Sequence, residues 1–98
     1  MRDVTEIERL AKAIRDLHDV DAEHLRSEPV REVFRGRIVW DGVVEVFAIK
    51  THPKARRAYA WSHETDAGGR RSVAILGVDP IRTAQDAVRV AIAAQARA

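Results

Sequence analysis

The chain contains no cysteine, which excludes a disulfide framework, a thiol nucleophile and any thiolate-held metal or iron–sulfur centre. Long apolar runs are missing as well: none approaches the ~20 residues that a membrane-spanning helix requires. The opening residues Met1-Arg2-Asp3-Val4 carry charge and lead into no apolar leader core, so a secretory signal is not expected. These absences point to the cytoplasm and to no membrane partner. Also missing are G-x-G-x-x-G, the P-loop, H-E-x-x-H, G-x-S-x-G and the calcium-loop pattern. The usual nucleotide, zinc-protease, serine-hydrolase and calcium readings go with them, and neither a metal nor a cofactor is expected.

What is present suits one globular domain spanning residues 1–98. At 98 residues and 11.0 kDa, with 46% apolar and 33% charged residues, the chain can bury a single core. Seventeen basic residues against 15 acidic ones leave a net charge of only +2. The basic set is lopsided, 14 Arg to 3 Lys. Arginine's fork suits phosphate and carboxylate, but the same excess accompanies abundant Ala and Val in GC-rich coding.

Val4, Ile7, Leu10, Ala11, Ile14 and Leu17 recur at spacings of three and four, predicting an amphipathic helix that ends near His18-Asp19, with Asp3 as its N-cap. Glu8 and Lys12 on its outer face have the favourable i, i+4 order. Asp19 to Pro29 reads as a polar connector with at most one further turn. From Val30 the period becomes two. Val30, Phe34, Ile38 and Trp40 share one side, and Arg31, Arg35 and Arg37 share the other with Val33 and Val39. Asp41-Gly42 is a hairpin signal that would set Trp40 against Val43, Ile38 against Glu45 and Val39 against Val44. A break at Thr51–Lys54, a strand at Arg57–Glu64, a loop at Asp66–Gly69 and a strand at Arg71–Val78 follow. Asp79-Pro80 ends the sheet, and Thr83 caps a last helix whose inner stripe is Ala84, Ala87, Val88, Ala91, Ile92 and Gln95.

This order predicts an α+β fold: a two-layer sandwich of helix, four antiparallel strands in a meander, and helix, with both helices on one sheet face. The other face would then leave Val33, Val39, Val44, Val46 and Ala48 uncovered. An apolar open face usually meets a partner, and a second copy of the chain is the commonest one. A homodimer through those residues is therefore expected.

Chemistry rests on single residues. Glu45, set among apolar neighbours, could act as an acid or base with His52 or His63 if a site brought them together. Trp40, Tyr59 and Trp61 read as sheet core. The extended constellation is arginine: Arg31, Arg35, Arg37, Arg56, Arg57, Arg70 and Arg71 could form a phosphate-binding stripe for nucleic acid.

The helix–strands–helix order resembles that of double-stranded-RNA-binding domains. The chain departs from that pattern in having a fourth strand and in reading Thr83-Ala84-Gln85-Asp86 where the last helix would begin with lysines, so RNA binding is carried over onto no residue. The stretch His52-Pro53-Lys54-Ala55-Arg56-Arg57-Ala58-Tyr59-Ala60-Trp61 is similar to a pattern in small bacterial proteins. It lies in the central third of the chain and implies no activity. The expectation is thus a small bacterial interaction or accessory module, homodimeric and non-enzymatic. The alternatives are a nucleic-acid-binding protein and a small enzyme or ligand binder using Glu45 with His52 or His63.

Overall fold

In the computed structural model, which describes residues 4–65 and 67–97, two helices flank one antiparallel sheet of strand order β1-β2-β3-β4. Helix α1 spans Val4–His18. Its stripe buries Leu10 and Ile14 completely, with Ile7 and Ala11 packed beside them, while Val4 and Leu17 at the stripe's ends stay exposed. On its outer face Lys12 pairs with Asp16 at 2.6 Å rather than with Glu8. The expected cap Asp3 and loop residue Asp66 lie outside the described residues.

The connector expected at Asp19–Pro29 is instead strand. β1 runs Ala22–Phe34, β2 Arg37–Ile49, β3 Arg57–Glu64 and β4 Arg70–Leu76, and helix α2 is Ala84–Arg97. The first hairpin turns at Arg35-Gly36, both with positive φ (53° and 78°), as a tight two-residue turn of this hand demands. Asp41-Gly42 lies inside β2, where Asp41 faces Arg31 and Gly42 faces Val30. A Cβ at Gly42 would sit 3.1 Å from the Trp40 ring. Glycine stands there because the indole folds across it, not because the chain turns. The register shifts accordingly: Trp40 faces Glu32, Val43 faces Pro29, Val44 faces Glu28 and Glu45 faces Ser27.

The second correction concerns the faces. Val44, Val46, Tyr59 and Trp61 pack with Ala84, Ala87 and Val88 of α2. Their strand neighbours Phe47, Ile49, Ala58 and Ala60 pack with Leu10 and Ile14 of α1. Successive strand residues point to opposite faces, so the helices lie on opposite sides of the sheet and the α+β arrangement has three layers rather than two. Of the residues expected on an open face, Val44 and Val46 have no exposed surface within the single chain and Ala48 is half-buried. The face on which a homodimer was expected is roofed by the chain's own α2.

Val33 and Val39 remain exposed for a different reason. β2 pairs with β3 only through Glu45–Ala48, so its first half has β1 as sole ladder partner. The β1–β2 hairpin therefore extends past β3 as an arm, whose tip exposes Val33, Phe34, Ile38 and Val39. Among the described residues, no helix is long and apolar enough to cross a membrane.

Candidate functional site

Glu45 is fully buried on the α1 face. Its Oε1 bonds His24 Nε2 at 2.8 Å and accepts from the Ser27 hydroxyl. Both partners come from β1, where a register irregularity between His24 and Arg26 brings them to one carboxylate. His24 also meets Phe47 edge-on at 5.4 Å between ring centres. The expected partners are elsewhere. His52 Nδ1 accepts from the Lys54 and Ala55 amides (3.0 and 2.9 Å) and fixes the β2–β3 loop. His63 shares the α2 face with Trp61, across the sheet from Glu45, and its Nδ1 lies 3.2 Å from Glu64 O. Glu45 with His52 or His63 is therefore not a constellation of this fold. Ser27 points its hydroxyl at the carboxylate, so the cluster is a buried polar tie. No group of three metal-ligating side chains occurs among the described residues.

The arginines divide between the two ends of the sheet. Arg35 and Arg37 sit at the β1–β2 turn, and Arg70 and Arg71 begin β4 at that same end. Arg31 is part-way along the arm, 3.4 Å from Asp41. Arg56 and Arg57 lie at the far end of β2, roughly 40 Å from its start at ~3.3 Å per residue. One continuous phosphate-binding stripe is not formed. Arg35 instead lies over the Phe34 ring at 5.2 Å, and Arg70 approaches Glu6 at 3.5 Å.

The sheet has two edges, and they differ in kind. β1 carries Pro29, two register irregularities and the charges Glu23, Arg26, Glu28 and Arg31, all devices that discourage further pairing. β4 has no proline and pairs with β3 without irregularity from Arg70 to Leu76. At its ends Gly77 N–H donates to Arg57 O at 2.8 Å and Thr65 N–H to Gly69 O at 2.9 Å. Bonded and non-bonded pairs alternate in an antiparallel ladder. Val73 and Ile75 thus bond inward to β3, while Arg70, Ser72 and Ala74 turn their backbone groups outward. The Ala74 carbonyl bears this out: it lies 3.0 Å from His18 Nε2 of α1, outside the sheet.

Alongside this edge runs a groove of about 730 Å³. Leu17 of α1 bounds one side and Val90, Ala91 and Ala94 of α2 the other, with Trp61, Val73 and Ile75 between them. Trp40 closes the back, its ring edge-to-face with Trp61 at 5.5 Å. His63 and Arg71 supply polar groups. Arg71 is exposed and has no ion-pair partner among the described residues.

The sequence does not reveal this groove, because it depends on α2 docking over β1 and β2, which leaves the same face open beside it at β3 and β4. A usable signal did exist. Ala58-Tyr59-Ala60-Trp61 and Val43–Ile49 are almost continuously apolar, the pattern of strands covered on both sides. Compared with known proteins, the chain matches no family model, no curated protein and no solved structure.

Proposed function

We propose that the protein is a non-enzymatic interaction module that captures an extended segment of another protein along the outer edge of β4. The observation that carries this reading is the outward-facing backbone of Arg70 and Ser72, with the Ala74 amide, beside an apolar groove. Strand addition draws affinity from main-chain bonds and selectivity from pockets for alternate side chains. Leu17 would meet residues on one side of the guest, and Val73, Ile75 and Ala91 those on the other. Arg71 favours a guest with an acidic residue beside its apolar ones. Charge also argues against a second copy in the groove: β4 holds two arginines and no acid, so self-pairing offers Arg71 no counter-charge.

The test uses a synthetic peptide of about eight residues, alternating valine and threonine with glutamate at both ends, and a counterpart with lysine at both ends. Tryptophan emission reports occupancy, because Trp61 lines the groove. The glutamate peptide is expected to saturate the signal and to bind about tenfold more tightly than its lysine counterpart. Ser72→Pro should abolish binding while preserving the fold, since the N–H it removes faces away from β3. Unchanged binding to that variant overturns the proposal. So does sedimentation showing a dimer that Ser72→Pro dissociates, which would put a second copy in the groove.

A further inference from the structure

The geometry points to a second, separate site: a pocket at the far end of the sheet that binds the phosphate group of a small organic phosphate. Leaving β4 at Gly77, the chain crosses the α2 face before entering α2 and borders an open concavity of about 530 Å³ against β3. Lys54, Arg56, Arg57 and Arg82 line it, against one carboxylate, Asp79. Asp79 is already engaged by Arg82 Nε at 2.7 Å. Lys54 and Arg56 have no carboxylate partner among the described residues. The site therefore concentrates positive charge that the fold does not neutralise.

Two features show that the basic side chains are presented by ordered backbone. His52 accepts from the Lys54 and Ala55 amides and so holds the loop that carries Lys54 and Arg56. Gly77 lies so close to β3 that a Cβ would come within 3.1 Å of both Arg57 O and the Tyr59 ring. A prearranged site loses less on ordering when its ligand arrives. Tyr59, Val78 and Ile81 add an apolar wall, and the Tyr59 hydroxyl is occupied in donating to Arg82 O at 3.0 Å. The size lies within the usual range of small-molecule sites, ~300–1,000 Å³. Cations beside an apolar wall suit a phosphate carrying an organic group. The start of α2 adds no vacant anion site, because Thr83 Oγ accepts the Asp86 amide and Asp86 accepts the Arg82 amide.

A small ligand fits better than a nucleic acid backbone. A polyanion needs a continuous basic track, whereas Arg35, Arg37, Arg70 and Arg71 lie at the opposite end of the sheet.

The experiment titrates the full chain with phenyl phosphate, inorganic phosphate and a single-stranded oligonucleotide, followed by amide chemical shifts and calorimetry at low salt. Phenyl phosphate is expected to saturate, to bind more tightly than inorganic phosphate, and to move the amides of 54–57, 77–79, 81 and 82 while leaving Ser72 unmoved. Replacing Lys54 and Arg56 together by serine should weaken binding at least tenfold with the circular dichroism spectrum unchanged. Arg35→Ser with Arg37→Ser, at the other end, should leave it unaltered. Three results would each overturn the site: no saturation, equal binding by the Lys54/Arg56 variant, or tighter oligonucleotide binding that moves amides at both ends.

Discussion

Glu45 is the one charged side chain without exposed surface among the described residues, and it is held by groups from a strand that the sequence disguises. Its expected apolar neighbours, Val43 and Phe47 among them, made the residue legible in advance. Its partners were not, because Asp19–Pro29 is too polar to read as strand. Pairing β1 with β2 explains that polarity: an edge strand exposes much of itself to water, and Glu23 and Arg26 occupy such positions. Removing one member of a buried polar tie leaves the others unsatisfied in a desolvated place. Glu45→Ala is therefore expected to lower unfolding free energy by about 2–4 kcal/mol, read from urea denaturation. Glu45→Gln, which keeps an acceptor for Ser27, should lose less.

At the scale of elements, α1, β3 and α2 announced themselves through periodicity and capping, all local signals. Hairpin placement did not, because two Gly-containing dipeptides competed. Only packing distinguishes Gly36, which needs its positive φ, from Gly42, which makes room for an indole. The docking of α2 on β1 is equally non-local. Gln85 donates to Arg31 O at 2.9 Å and to Glu32, and Arg89 pairs with Glu32 at 3.0 Å. The Gln85 hydrogen bond, helped by Arg89 and opposed by desolvation, holds the Glu32 carboxyl below its ordinary 4.5. Asp86 is lowered too, chiefly by the Arg82 amide. A carboxyl lowered on folding contributes stability that is present above its unfolded pKa and is lost as pH falls through its folded one. The urea midpoint should accordingly stay flat from pH 7 to ~5 and fall below that. Glu32→Gln should make the acid fall shallower.

Across the whole molecule, 39 × 31 × 28 Å, stability should be uneven. The centre of the sheet, Val44–Phe47 with Ala58–Ala60, is covered on both faces, whereas the arm tip has one ladder partner and little cover. Amide hydrogen exchange is expected to be slowest at Val46 and Tyr59 and fastest between Phe34 and Ile38, because exchange follows local opening. Comparable protection in the two regions would contradict this picture. The meander order was legible because short loops join neighbours. The assignment of helices to faces was not: it is decided by packing among residues far apart in the chain, with Ile14 and Phe47 in one buried cluster and Val88 and Val44 in the other.

The contact between His18 and the Ala74 carbonyl bears on self-assembly. An edge strand with every outward group available can template strand after strand, and such edges drive fibre growth. Here the imidazole occupies one acceptor, and the Leu76 carbonyl beyond it already receives the Val78 amide at 3.0 Å. The ladder that an incoming strand can build stops short at the midpoint of β4. On the proposed reading the edge would hold a guest yet remain too short to propagate a sheet, and one histidine from α1 sets that limit.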